Sequence, residues 1–425
     1  MTRSTDPGPE SAYAWWRLMA SLALMTIGGA GMYAVTVVLP AVQADFGVAR
    51  ADASLPYTLT MLGFGFGGIL MGRLADRFGV MLPVAVGAVG LGAGFVLAGL
   101  AGNLWLFCLA QGLLLGLLGT SATFVPLVAD TSLWFDRRRG IAMAICMSGN
   151  YVAGAFWPPV ISHFTASAGW RPTYIGIGIF CVLTMLPLAW VYRRRPPALA
   201  PVVGAAATAA ALQSERPLGM SPAALQTLLS IAGLACCVAM AMPQVHIVAY
   251  CSDLGIGPAR GAQMLSLMLG MGIVSRLVSG WIADRIGGLR TLLLGSLLQG
   301  VALFAFLFAD GVVSLYLVSA MFGLFQGGIV PSYPLVVREY FTPKEAGARV
   351  GTVLMATLLG MALGGWMSGA IFDWTGSYRA AFVNGIAWNL LNLSICVFLL
   401  MRVRRLGLRF GRPLGVTSAT SAPGK

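Results

Sequence analysis

Gly72-Arg73-Leu74-Ala75-Asp76-Arg77-Phe78-Gly79 closes one long apolar stretch of the sequence, and Gly280-Trp281-Ile282-Ala283-Asp284-Arg285-Ile286-Gly287 closes another. Asp76 and Asp284 are 208 residues apart. A second pair of landmarks repeats at nearly the same interval. Trp134-Phe135 with Arg137–Arg139 is matched by Tyr340-Phe341 with Lys344 and Arg349, and the two phenylalanines are 206 apart. Two independent landmarks give one period, close to half of the 425 residues. The chain reads as a duplicated unit.

Working outward, the chain around these motifs is 58% hydrophobic and only 10% charged, where a soluble domain carries about 25% charged residues. With a mean hydropathy of +0.83, two water-soluble domains of this length could not hide their apolar surface, so the chain belongs in a bilayer. Twelve apolar stretches of about 20 residues are each long enough to cross roughly 30 Å of hydrocarbon. They lie near 17–39, 54–75, 80–100, 104–130, 141–163, 173–192, 224–249, 263–282, 289–309, 312–336, 351–371 and 382–401. All should be helices, because a lipid-exposed backbone must satisfy its own hydrogen bonds. Most of the 55 glycines fall inside these stretches, where they suit close approach of one helix to another.

The segment 193–223 interrupts the apolar pattern with Arg193–Arg195, prolines 196, 197 and 201, an alanine run and Glu215-Arg216. It reads as a cytoplasmic linker between a six-helix half at 17–192 and a second at 224–401, with cytoplasmic tails at 1–16 and 402–425. The expected fold is an all-α membrane protein of 12 transmembrane helices in two six-helix halves. Such repeats bracket a binding site near the bilayer midplane.

The net charge of +13 raises the question of a nucleic-acid partner, and its distribution answers it. The N-terminus, the loops after even-numbered stretches and the C-terminal tail hold 22 of the 27 Lys and Arg, while the opposite side holds Arg50, Arg171, Arg260 and Arg379. This bias puts both termini in the cytoplasm. Charges in short loops make no single folded face for nucleic acid. Six of the seven cysteines fall within apolar stretches, none in C-x-x-C spacing, so neither a disulfide framework nor a zinc site is expected. With two histidines, His163 and His246, no metal cluster is expected, and no other cofactor is implied. The first apolar stretch is long enough to span, so it is not read as a cleaved signal peptide.

The glycine–Asp–Arg–glycine loop and its repeat resemble the loop motif of the major facilitator superfamily, over essentially the whole chain from about 17 to 401. A narrower resemblance lies in Trp134-Phe135-Asp136-Arg137-Arg138-Arg139-Gly140-Ile141-Ala142 and in Gly169-Trp170-Arg171. These look like the monocarboxylate porter branch, including bacterial lactate transporters, and the related oxalate/formate exchangers. That resemblance implies that Arg276 occupies the place of a substrate-binding arginine. The sequence also departs from the branch. Mammalian members carry an Asp one turn before this arginine, where this chain has Gly272, and their first-helix lysine appears as Tyr33. Their acidic-glycine pattern before helix 1 is not visible in Glu10–Trp16. These departures bear on the proton route more than on the fold.

Arg276 is also informative on its own chemistry. It lies eight residues before Asp284, roughly 12 Å inside the end of its helix at 1.5 Å per residue. A cation at that depth faces a cavity or a partner, and no clear acidic partner is visible within the apolar stretches. The guanidinium is then a receptor for a carboxylate; the alternative is that it snorkels outward or braces Asp130. An exporter of cationic drugs would need an intramembrane acid, and a dicarboxylate carrier would be helped by a second cation, whereas 351–371 contains neither Lys nor Arg. One cation argues for a small monocarboxylate.

Tyr33, Asn150, His246, Gln326 and Tyr333 are candidates for the remaining polar contacts of the cargo. Each has a packing alternative: interhelical hydrogen bonding for Asn150 and Gln326, a proline-shaped kink for Tyr333, an interfacial position for His246. His246 could also relay a proton. Asp76, Arg77, Arg138, Asp284 and Arg285 read as gates that pair across the cytoplasmic mouth and separate as the halves rock. The whole reading is a proton-coupled monocarboxylate symporter of the bacterial inner membrane, needing no protein partner. The alternative is an oxalate/formate-type anion exchanger. An enzyme is not expected, since no nucleophile, base and orienting group converge in these motifs.

Overall fold

The computed structural model describes residues 10–135, 138–194, 217–341 and 343–406. Arg137, the side chains of Arg139 and Lys344, most of the linker and the outer parts of both tails lie outside the described residues. What is described is helical, with no strand among the described residues. The helices are α1 (Ala12–Phe46), α2 (Arg50–Phe78), α3 (Met81–Gly99), α4 (Leu104–Trp134), α5 (Arg139–Ala168), α6 (Trp170–Arg193), α7 (Pro222–Asp253), α8 (Pro258–Ile286), α9 (Gly288–Phe306), α10 (Val312–Tyr340), α11 (Pro343–Thr375) and α12 (Tyr378–Arg405). Among the described residues, eleven helices are long and apolar enough to cross a membrane, and α5 runs for 30 residues beside them.

The helices are longer than the apolar stretches that announce them. The stretch 17–39 is the middle of a 35-residue helix and 351–371 the middle of a 33-residue one. Hydropathy marks what lipid can cover, whereas backbone hydrogen bonding carries the helix on through polar residues at each end. Prolines 40, 56, 158, 159, 187, 243 and 334 sit inside helices, as tight packing in membrane helices tolerates. Three helices are interrupted: α1 at Gly29, α4 at Thr123-Phe124, and α10 at Gly327-Gly328.

The repeated motif adopts a repeated shape. Gly79 and Gly287 close α2 and α8 with φ of 85° and 86°, and each backbone N–H returns to the alanine carbonyl four residues earlier, at 2.8 and 2.9 Å. That region of φ is open to glycine at little cost. We call the end carrying these two loops the motif end, and the opposite one the far end. The far end shows the same period. Arg171 opens α6 and bonds Asp45 at 2.7 Å; Arg379, 208 residues on, opens α12 and bonds Asp310 at 3.0 Å.

Within the first six helices α3 packs on α6, α2 on α4 and α1 on α5; within the last six, α7 packs on α11, α8 on α10 and α9 on α12. The two sets meet where α2 lies along α11, α5 along α8 and α1 along α7. A buried pair braces the motif end of the first set. Arg17 of α1 makes two 2.7 Å bonds to the carboxylate of Asp130 on α4, also bonds the carbonyls of Val191 and Arg194, and lies over the rings of Trp134 and Tyr192. Such full partnering is what a buried charge requires.

Candidate binding site around Arg276

Four steps along one antiparallel seam set the position of Arg276. The Ser266 hydroxyl bonds the carbonyl of Ala155, Leu269 lies against Gly154, Gly272 faces the ring of Tyr151, and Arg276 reaches Met147. The seam joins α8 to α5, and so the last six helices to the first. Arg276 stands ten residues from the motif end of α8 and eighteen from its far end, about 15 and 27 Å at the helical rise. It is half-buried.

The guanidinium carbon lies 4.3 Å from the centroid of the Tyr151 ring, and Nη1 donates to the Met147 carbonyl at 3.2 Å. Met147 and Tyr151 are one turn apart, so a single face of α5 supplies both contacts. Nε has no hydrogen-bond partner. Arg276 forms no ion pair among the described residues, and Asp130 is taken by Arg17 rather than by Arg276. A cation held by a ring face and a neutral carbonyl keeps both its charge and free donors for an anion.

Tyrosines gather beside it. Tyr33 is nearly buried, its ring tip 2.8 Å from where a Gly154 Cβ would stand, and it lies within electrostatic reach of Tyr151 and Arg276. Tyr57 of α2 comes next, within reach of Tyr33 and with its ring against Gly365 of α11. Among the described residues, the hydroxyls of Tyr33, Tyr57 and Tyr151 make no hydrogen bond. Polar atoms in an apolar wall, with partners still to find, are what a small-molecule site presents.

The other sequence candidates divide. Gln326 is fully buried at the interruption of α10; its Oε1 accepts from Gln244 Nε2 of α7 at 3.0 Å and its own Nε2 has no partner. The next residues, Gly327 and Gly328, press against Gly272 and Ser275 of α8, which puts Gln326 at the level of Arg276. A Cβ on Gly327 would lie 2.9 Å from the Gly272 Cα, so glycine is what permits this contact. Asn150 is half-buried and lines a small cavity with Met25, Gly29, Phe64, Thr120, Thr123 and Phe124, beside α1. Tyr333 bonds Asn392 at 3.1 Å, and Asn392 bonds Ser296 at 2.7 Å. It belongs to a polar cluster inside the last six helices.

His246 sits with a different group, at the far end. Its Nε2 lies 2.7 Å from the Gly365 carbonyl and its Nδ1 3.1 Å from the Tyr378 hydroxyl. A carbonyl only accepts, so Nε2 carries the hydrogen and Nδ1 accepts from Tyr378. Tyr378 in turn accepts from Arg50 of α2 at 2.7 Å, and Arg50 bonds Asp253 of α7 at 3.0 and 3.2 Å. Asp373 of α11 caps the start of α2 through the backbone N–H groups of Arg50 and Ala51, at 2.9 and 2.7 Å. At the motif end, Asp76 and Asp284 form no ion pair among the described residues. Arg77 lies over Phe78, Arg285 folds onto Trp281 of its own helix, and the Arg138 backbone donates to Glu10. Among the described residues, the ion pairs and side-chain hydrogen bonds named above join the two sets of helices at the far end and not at the motif end.

The sequence profile of the Major Facilitator Superfamily matches residues 19–319 and 252–419. The chain belongs to the Major Facilitator Superfamily. Within it the similarity runs to monocarboxylate transporters: "Monocarboxylate transporter 13" of Bos taurus is 30% identical over 339 residues, covering 79% of this chain and 77% of that protein. The protein of the same name from Rattus norvegicus is 26% identical over 413 residues, covering 94% and 91%. Among solved structures, a bacterial homologue of the human lysosomal transporter Spinster, in an inward-facing and occupied conformation, superimposes with a TM-score of 0.73 at 14% identity, over 93% of this chain and 98% of that one. The fold is thus that of a superfamily transporter of the monocarboxylate-transporter type, a multi-pass membrane protein.

Sequence reasoning passed over Tyr57, Tyr151 and the Arg50 cluster. Tyr151 carried no local signal of its own; the trace it left was Gly272, whose missing side chain makes its seat. Arg50 looked like one of four topology charges because its partners Asp253, Asp373 and Tyr378 are more than 200 residues away.

Proposed function

We propose that this superfamily transporter carries small monocarboxylates such as L-lactate or pyruvate, together with a proton, by alternating access, with the carboxylate held by Arg276. The observation that carries the reading is the state of that guanidinium, half-buried at the meeting of α5 and α8 and, among the described residues, without an ion pair and with its Nε unpartnered. A planar guanidinium fork matches one carboxylate. Tyr33, Asn150 and Gln326 supply further polar contacts around it, while Tyr333, bonded to Asn392, and His246, bonded to Tyr378, belong to other clusters.

In this reading all twelve helices cross the membrane, α5 included, in halves of 17–192 and 224–401 joined by the linker 193–223, and the tails 1–16 and 402–425 lie in the cytoplasm of a bacterial inner-membrane protein. The basic motif end is then the cytoplasmic one. The far-end cluster is the closed outer gate, and Asp76, Arg77, Arg138, Asp284 and Arg285 are the separated inner gate, to be joined when the halves rock. A proton and a monoanion crossing together move no net charge, so the membrane potential neither helps nor opposes them.

One observation favours the rival, carboxylate exchange without a proton. Gly272 stands where an acid would flank Arg276, and His246 has both ring nitrogens engaged elsewhere. Radiolabelled L-lactate uptake into empty proteoliposomes separates the two. Accumulation driven by an inward proton gradient and collapsed by a protonophore supports symport; uptake that requires a preloaded carboxylate supports exchange.

A further inference from the structure

Gly272 lies in the middle of α8, where glycine is a poor choice. In a helix interior it costs roughly 0.5–1 kcal/mol relative to alanine, and its neighbours on α8 are fully helical. What the missing side chain admits is the ring of Tyr151. A Cβ at 272 would stand 2.6 Å from Tyr151 Cδ1 and nearer still to Cε1, closer than real contacts allow, so any other residue must push the ring aside. One turn along α8, Arg276 lies over that same ring at 4.3 Å. The three residues form a stack: an empty position, a ring filling it, and a guanidinium resting on the ring.

We propose that Tyr151 is the positioning residue for the substrate-binding arginine, and that Gly272 serves to seat it. The inference rests on the reading of Arg276 as the carboxylate anchor. A guanidinium has rotatable bonds enough to snorkel toward either end of its helix. Here the ring face fixes its plane and the Met147 carbonyl takes Nη1. These contacts leave the edge made of Nε and Nη2 for a bidentate carboxylate, and Nε is the atom without a partner. Tyr151 does this work with the face of its ring, where an acid would form an ion pair and cancel the charge that the substrate needs. The hydroxyl, which makes no hydrogen bond, is not required for the role.

The test is the kinetics of L-lactate and pyruvate uptake in proteoliposomes, with amounts matched and folding followed by thermal melting. Tyr151→Leu removes the ring and should raise KM about tenfold with Vmax within about twofold of the parent, the scale of a lost cation–π contact. Tyr151→Phe keeps the ring and should stay within about threefold in KM. Gly272→Ala leaves both partners in place and should raise KM as Tyr151→Leu does, while Gly272→Ala with Tyr151→Leu should be no worse than Tyr151→Leu alone. A structural role for the ring would instead lower the melting temperature and Vmax and leave KM unchanged, and that result overturns the proposal. An unchanged KM in well-folded Tyr151→Leu, with Arg276→Ala inactive, also overturns it while leaving the anchor reading intact. Normal KM in Arg276→Ala, or no uptake by the parent, overturns the anchor reading and this inference with it.

Discussion

Arg50 and Asp253 approach to 3.0 Å, and theirs is the one ion pair among the described residues that joins the first six helices to the last six. Arg50 is nearly buried and Asp253 about one-third exposed. The pair does not stand alone: Tyr378 of α12 bonds the same arginine, Asp373 of α11 caps the start of its helix, and His246 of α7 bonds Tyr378. In the proposed alternating-access cycle, a cross-link of this kind is what would hold the far end shut.

Neutralising Asp253 should loosen that end. Asp253→Asn removes a partly screened ion pair worth about 1 kcal/mol, which multiplies the open-to-closed ratio at the far end about fivefold. Spin labels at Gly102 and Val313, both exposed on far-end loops or helix starts of the two sets, should show a longer-distance population that the parent lacks. An unchanged distance distribution would mean that the pair is not a gate.

The pair at the opposite end is of another kind. Arg17 and Asp130 are 2% and 1% exposed, so Asp130→Asn strands a buried guanidinium and should cost about 3–5 kcal/mol. A fall in melting temperature in detergent, with uptake per folded molecule unchanged, is the expected outcome. Replacing both residues by Met and Leu should recover much of the loss, since apolar pairs of similar volume replace buried ion pairs well.

His246 should not carry the transported proton. Both ring nitrogens are engaged by groups that hold one tautomer. His246→Gln should therefore preserve the response of uptake to a proton gradient and instead weaken closure at the far end. Loss of gradient-driven uptake with exchange retained would return His246 to the proton path.

Gly327 tests the packing that puts α10 at the level of Arg276. Gly327→Leu has no room beside Gly272 and should destabilise the protein by about 1–3 kcal/mol or more, as overpacking does. Gly351 lies inside α11 with open space where a Cβ would stand, so Gly351→Ala should not destabilise and should gain roughly 0.5–1 kcal/mol in the same melt.

The fold was legible because it rests on composition and period. Apolar length marks each helix centre, and two loops 208 residues apart that share five of eight residues announce the duplication. Helix ends were not legible, since polar residues continue a helix without advertising it. Arg276 stood out as a cation in an apolar stretch, a rare event with few explanations. Its setting did not, because a ring that holds a cation looks in sequence like any other core aromatic. His246 shows the reverse: a conspicuous residue type that three-dimensional neighbours assign to a different cluster, with partners on α11 and α12.

In the proposed function the Arg276 guanidinium holds the carboxylate of the cargo. L-lactate uptake by Arg276→Lys and Arg276→Ala, in proteoliposomes containing equal amounts of folded protein, tests it most directly. Alanine should abolish uptake. Lysine keeps the charge but loses the planar fork and the ring stack, so it should transport with KM raised tenfold or more. Uptake by Arg276→Ala with the parent's KM would contradict the account, because the anion would then be held elsewhere.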